Sequence, residues 1–149
     1  MILELLQLVI IFIITWFVGF FLHELWHLFI CQQYGGIGRI RLTNHKGISS
    51  AYCECDGCTE RFLFKLMGGL GTAIFLIPIG IALFSIYTPL GVSLFIVGLV
   101  NLPYSFYEAT FLDRWNKEKY MKWHYVLYGI MIMLGLIITG QNIINYLGG

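Results

Sequence analysis

Four long and nearly uncharged apolar segments constrain the fold of this chain more than any other feature. They cover about residues 3–31, 62–87, 89–112 and 124–147, and each is close to the roughly 20 residues that span a hydrocarbon core as a helix. Lipid offers no hydrogen-bonding partners to the backbone, so only helices or closed barrels can span it, and alternating barrel strands do not produce such runs. The sequence therefore predicts one all-α membrane domain over residues 1–149, with four transmembrane helices.

Composition supports a chain that is surrounded by lipid. Hydrophobic residues make up 58% of the sequence and charged residues only 11%, whereas a soluble domain carries about 25% charged residues. A soluble domain of this size could not bury so much apolar area, because small domains leave a large fraction of their surface exposed. The net charge of +1, without a dense basic cluster, argues against nucleic acid as a partner.

The basic residues predict how the helices are oriented. All nine Lys and Arg residues lie within residues 39–65 and 114–122. The positive-inside rule places both of these basic segments in the cytoplasm. We therefore expect a multi-pass protein of the cell membrane with both termini outside the cytoplasm.

The long loop between the first two helices, residues 32–61, carries a hairpin pattern. In the segment 37–42, the side chains at 37, 39 and 41 alternate with those at 38, 40 and 42, as the two faces of a strand do. Residues 44–47 form a turn signal, and residues 48–55 are suited to a return strand. We expect a short cytoplasmic β-hairpin at the membrane interface, and an irregular loop is the alternative.

The sequence His-Glu-Leu-Trp-His at residues 23–27 lies inside the first apolar segment. On a helix, His23 and His27 lie one above the other on the same face, so both imidazoles can bind one zinc ion. Glu24 then reaches a water that the metal activates, and accepts its proton during attack on a carbonyl. Ionisable groups at membrane depth are costly and usually functional, which favours a metal site over a simple interhelical hydrogen bond.

A hydrolytic zinc site needs a third protein ligand. The third helix runs in the same direction as the first, and at about 1.5 Å per residue Glu108 should lie at the depth of His23 and His27. Asp113 is the alternative ligand, but it lies in the loop beside Arg114, where an interfacial ion pair explains it. We therefore predict zinc ligands at His23, His27 and Glu108.

Three further features of the sequence bear on the predicted metal site. Asn101 could donate a hydrogen bond to a substrate carbonyl or to the oxyanion, or else form an interhelical hydrogen bond. Pro103 should loosen the third helix. The small residues of the segment 68–72 allow close helix packing against the metal site.

These motifs resemble those of the site-2 protease family of intramembrane zinc metalloproteases. The segment 23–27 matches the family's H-E-x-x-H in full. The segment 68–72 is similar to its G-P-x-x-N motif, with Gly in the Pro place and Thr in the Asn place. The segment 101–109 is similar to N-x-x-P-x-x-x-L-D-G, with one residue fewer between Asn and Pro, and with Glu108 where the family has its metal-binding Asp.

The resemblance implies a function for the chain. It implies that the substrate is a membrane-spanning or membrane-inserted peptide, cleaved near the cytoplasmic face. The first hypothesis is therefore a zinc endopeptidase in which Glu24 is the general base and Asn101 helps to hold the substrate. The resemblance also implies that the hairpin guides an extended substrate strand. The rival hypothesis is a non-catalytic membrane module that binds a metal or a partner, which the changes in the second and third motifs favour.

The four cysteines lie on the predicted cytoplasmic side, where disulfides are not expected. Cys53, Cys55 and Cys58 form a C-x-C-x-x-C cluster. Either Cys31 or His45 could complete a second, structural zinc site there. Disulfide bridges are the alternative if the topology is inverted or the host cytoplasm favours them.

Overall fold

The structure is a computed structural model that describes residues 2–45 and 48–111, together with five single positions between 126 and 137. Three helices and a two-stranded antiparallel sheet make up the continuous part. Their bounds are α1 Ile2–Gln33, β1 Ile37–His45, β2 Ile48–Asp56, α2 Arg61–Phe84 and α3 Thr88–Phe111. All three helices are long and apolar enough to cross a membrane, as expected for a helical membrane protein.

The predicted count of four membrane helices is matched only in part. The first three predicted helices correspond to α1, α2 and α3. The predicted fourth helix, about residues 124–147, lies outside the described residues apart from the five single positions, and Asp113 also lies outside them. The described part of the chain therefore supports three candidate membrane spans.

The loop between α1 and α2 forms the predicted hairpin rather than an irregular loop. Strands β1 and β2 pair antiparallel, with Ile37 opposite Asp56 and His45 opposite Ile48. An ion pair between Arg41 and Glu54 joins the two strands on the exposed surface. This register brings the end of β2 back beside the end of α1.

A glycine turn ends α1 and sends the chain into the hairpin. Gly35 has a φ of +76°, a left-handed conformation that glycine adopts without a steric penalty. The Gly36 N–H then donates to the Cys31 carbonyl at 2.8 Å, which satisfies a terminal carbonyl of the helix. Because the turn is so tight, both strands contact α1.

Helices α2 and α3 pack closely as an antiparallel pair. A Cβ atom added at Gly80 would lie 2.6 Å from the Phe95 backbone nitrogen and 2.8 Å from the Gly91 carbonyl oxygen. Small residues at such a crossing let the two backbones approach and gain van der Waals contact, which drives helix association in lipid. A short turn at residues 85–87 joins the two helices.

The interior between the helices changes from apolar to polar along the bundle. Apolar side chains of α1 and α3, among them Phe12, Ile96 and Val100, form one core cluster, and Leu76 and Val97 belong to a second cluster between α2 and α3. Towards the hairpin, the buried side chains are polar instead: His23, Glu24, His27, Thr72, Asn101 and Ser105. The helices therefore enclose a polar site near one end of an otherwise apolar bundle.

Candidate metal centre

Three possible ligand side chains meet between α1 and α3, towards the C-terminal ends of both helices. The Nε2 atoms of His23 and His27 lie 3.0 Å apart, as i, i+4 spacing on a helix predicts. The Glu108 carboxylate lies 3.1 Å from Nε2 of His23 and 3.4 Å from Nε2 of His27. Among the described residues, this is the group of His, Cys, Asp and Glu side chains that is placed to hold one metal ion. The expected depth match between Glu108 and the two histidines is confirmed.

The other ring nitrogen of His23 is held by Asn101. The Asn101 amide nitrogen donates to the Val97 carbonyl at 2.8 Å, which assigns the orientation of the amide. Its oxygen therefore faces Nδ1 of His23, 3.2 Å away. Since this oxygen can only accept, Nδ1 of His23 carries a hydrogen. In the neutral imidazole, Nε2 is then the nitrogen with the free lone pair.

His27 is fixed in the same tautomer by a backbone group. Its Nδ1 lies 2.6 Å from the Phe64 carbonyl oxygen, which also can only accept. The Phe64 ring packs against the imidazole at a centroid distance of 4.7 Å. In the neutral imidazole, Nε2 of His27 is likewise the nitrogen with the free lone pair. The first turn of α2 fixes the orientation of the ring.

When both imidazoles are neutral, two bare Nε2 atoms and a carboxylate face one another in this space. Such acceptors repel each other unless a cation lies between them, and that cation is either an added proton or a metal ion. Two histidines and one carboxylate are a donor set of catalytic zinc sites. Metal-binding histidines usually donate their second N–H to a carbonyl or another acceptor, as His23 and His27 do here. The residues present therefore fit zinc.

Gly68 on α2 leaves space directly beside the ligand atoms. A Cβ atom added there would collide with Nε2 of His27 and lie 2.7 Å from Nε2 of His23. Neither imidazole can move away without losing its hydrogen bond at Nδ1. Gly68 therefore has a second effect besides helix packing. The absence of a side chain there leaves space between α2 and the two Nε2 atoms.

Glu24 lies beside this group without belonging to it. Its side chain is buried, and it is close enough to His23 and His27 to interact with both electrostatically. One carboxylate oxygen accepts a hydrogen bond of 2.6 Å from the Cys53 backbone N–H. A carboxylate in this position can exchange a proton with a molecule bound next to the ligand group.

The Asn101 side-chain amide joins α3 to α1. Both ends of its amide are used, by His23 and by the Val97 carbonyl, and the residue is only 2% exposed. The alternative of an interhelical hydrogen bond describes what is observed. Asn101 is therefore a positioning residue, because it acts through His23.

The predicted cysteine zinc cluster is wrong for the described residues, because Cys55 forms a disulfide with Cys31. A sulfur in a disulfide is no longer a thiolate ligand, and Cys53 and Cys58 are free. A Cβ atom at Gly36 would lie 2.7 and 2.8 Å from the two bridged sulfurs, so a glycine allows this approach. The expectation that no disulfide forms is wrong as well.

Four contacts at or beside the site have no direct signal in the sequence. The Phe64 carbonyl and the Cys53 N–H are backbone groups, which every residue type carries. The contact of Gly68 with the imidazoles could have been found only by fixing the rotation of α2. The closeness of Cys31 to Cys55 depends on the hairpin register.

Comparisons with known proteins found no match: no family model, no curated protein and no solved structure matches the chain. The resemblance to site-2 proteases rests on three short motifs and remains a prediction. What the chain does is therefore inferred from the chemistry of the site.

Proposed function

We propose that this chain is an intramembrane zinc metalloprotease related to the site-2 proteases. The observation that supports this most is the convergence of two bare imidazole nitrogens and the Glu108 carboxylate beside Glu24. Holding a metal ion requires only the three ligands and does not require the additional buried carboxylate of Glu24. A hydrolytic site needs one as its general base.

The residues divide into three roles. His23, His27 and Glu108 would hold the zinc ion, which when bound lowers the pKa of a water molecule and polarises the scissile carbonyl. Glu24 would accept a proton from the attacking water and pass it to the departing amine, so that one carboxylate serves both half-reactions. Asn101 orients His23 by accepting the hydrogen of its Nδ1, which leaves Nε2 on the side of Glu108.

The position of the site suggests the class of substrate. His27 and Glu108 both lie within about two helical turns of the C-terminal ends of α1 and α3. The reacting peptide bond would therefore lie near one face of the bilayer, in a membrane-spanning or membrane-inserted peptide. A helical substrate must unwind there, because a helical peptide bond is enclosed by its own backbone hydrogen bonds.

The topology belongs to the same proposal. The basic residues beside α1 and α2 favour a cytoplasmic hairpin, which places cleavage near the cytoplasmic face. The apolar segment 124–147 would then be the fourth span and return the C-terminus to the outside.

A non-catalytic metal module is the second candidate. The coverage of Glu24 by β2 favours it, because the carboxylate is 7% exposed and already hydrogen-bonded to Cys53. In such a module Glu24 would only anchor the hairpin. The two candidates therefore differ in what Glu24 does.

Replacement of Glu24 by Gln separates these candidates. We expect Glu24→Gln to keep about one zinc per chain and to lower cleavage about 10²–10⁴-fold, the usual contribution of a general base. Purified protein in liposomes would be given a pool of labelled single-span peptides, with products identified by mass spectrometry. Glu54→Gln, which changes the exposed ion pair with Arg41, is the matched control and should cleave like the wild type. Zinc binding with equal cleavage by Glu24→Gln and the wild type would contradict the proposal.

A further inference from the structure

The outer edge of β2 covers the predicted general base. The Cys53 N–H that bonds to Glu24 points away from β1, since its partner lies on α1. In this arrangement His23, Glu24 and His27 are 5%, 7% and 3% exposed. An extended peptide cannot reach Glu24 while β2 lies here, so the hairpin must move before a substrate binds.

A covalent bond holds this covered arrangement. Cys31 lies about two helical turns beyond Glu24 on α1, and Cys55 lies two residues beyond Cys53 on β2. The disulfide between Cys31 and Cys55 therefore joins the same two elements as the hydrogen bond to Glu24. Each link restricts the separation of β2 from α1, and the disulfide does so irrespective of hydration.

We propose that the Cys31–Cys55 disulfide is a redox latch that keeps β2 over Glu24 when oxidised and lets the hairpin open the site when reduced. This inference rests on the proposed protease function. It also gives the disulfide a role on the predicted cytoplasmic side, where dithiol reductants are abundant. The latched form is the covered, inactive form, and the reduced form admits the peptide.

The opening reaction needs an external dithiol. Its thiolate attacks one sulfur of the bridge and forms a mixed disulfide, which its second thiol resolves. The dithiol leaves as a disulfide, and its two electrons and two protons remain on Cys31 and Cys55 as thiols. Cys31 is fully buried whereas Cys55 is partly exposed, so Cys55 is the sulfur that the dithiol can reach. Burial, with a smaller contribution from Glu24, raises the pKa of Cys53 to about 11, so its thiol is not an internal attacking group.

The latch is tested by three measurements on the full chain in detergent or liposomes. Maleimide labelling counts free thiols, hydrogen exchange follows the amides of residues 48–56, and the peptide pool of the cleavage assay reports activity. Each is made on oxidised protein and after dithiothreitol. The variant is Cys31→Ser with Cys55→Ser, and the matched control is Cys58→Ser, which removes a free thiol outside the latch.

The oxidised wild type should label at two of its four cysteines, and the reduced protein at all four. Reduction should speed exchange in residues 48–56 and raise cleavage about tenfold or more, because activity scales with the fraction of open molecules. The double variant should behave like the reduced wild type with or without dithiothreitol. Cys58→Ser should respond to dithiothreitol as the wild type does.

Four reactive thiols after oxidation, or exchange in residues 48–56 that is the same in both redox states, would overturn the latch. So would a double variant that folds, by circular dichroism, and still responds to dithiothreitol. Faster hydrogen exchange in residues 48–56 on reduction, without cleavage in either redox state, would support the latch and contradict the protease proposal. The two proposals can therefore fail independently.

Discussion

The helical ligand group and the hairpin that covers it are held in different ways. The positions of His23, His27 and Glu108 depend on contacts between specific side chains. The Nδ1 atom of each histidine also has a hydrogen-bond partner on another helix. Among the described residues, the contacts that hold the hairpin over the site include the Cys53 N–H, the disulfide and the close approach of Gly38 to Leu28 on α1. The first region depends on particular residues throughout, and the second depends on the path of the backbone.

This difference indicates which region can move. A metal site works only if its ligands hold their geometry, and polar groups buried in lipid are costly to separate. The hairpin has few such groups: Arg41 and Glu54 pair on its exposed surface, and its strands present exposed residues such as Leu42 and Tyr52. We therefore expect a rigid ligand group under a cover that can be released.

Gly68→Ala should have the largest effect on the ligand group. The added methyl group would occupy space beside Nε2 of both His23 and His27, which their other hydrogen bonds hold in place. We expect zinc affinity to fall at least about a hundredfold, the upper range for disturbed surroundings of a metal. Competition with a zinc-binding dye measures this.

The control for this substitution is Gly80→Ala. It also places a methyl group against a neighbouring helix, but at the crossing with Gly91, away from the ligands. It should lower thermal stability and keep zinc affinity. Equal losses of zinc in both variants would mean that Gly68 matters for packing alone.

Asn101→Leu should have a smaller effect, because it removes a partner of a ligand and not the ligand itself. Nδ1 of His23 would lose its acceptor, and the ring would no longer be held in one tautomer. We expect zinc affinity to fall about 10–100-fold, with Asn101→Asp recovering part of it. Ser93→Ala, a buried change whose hydroxyl bonds only within α3, is the control. Unchanged affinity in Asn101→Leu would show that Asn101 does not position His23.

Cys53→Pro should have the smallest effect and act on the hairpin alone. Proline lacks the N–H that bonds to Glu24 and is tolerated at a strand edge. Amide exchange in β2 should rise modestly while zinc affinity stays the same. Cys53→Ser keeps the backbone N–H and should exchange like the wild type. If both variants exchange alike, the hydrogen bond to Glu24 does not hold the hairpin.

Much of the ligand group could be predicted because helices convert spacing into geometry. The separation of His23 and His27 places them on one face, and counting residues to the end of α3 brings Glu108 to their level. The hairpin was predictable from its alternation and its turn. In each case a local pattern determines a local structure. The shared direction of α1 and α3 then sets the depth of Glu108 relative to the histidines.

The remaining features could not be predicted, because they depend on how elements rotate and meet. The role of Asn101 was open between substrate and helix until its neighbour Val97 assigned the amide. The cysteine spacing suggested a zinc cluster, but pairing within a hairpin depends on its register with α1, which brings Cys55 to Cys31. The spacing of the cysteines in the sequence does not predict how the hairpin is placed against α1.

The most direct test of the central claim is the zinc content of purified protein. Wild type should carry about one zinc per chain, and His23→Ala, His27→Ala and Glu108→Ala should carry almost none. Asp113→Ala and a Cys53, Cys55 and Cys58 triple variant should keep their zinc. Zinc that survives loss of His23 and Glu108, or that disappears only with the cysteines, would contradict a metal centre at the convergence of α1 and α3.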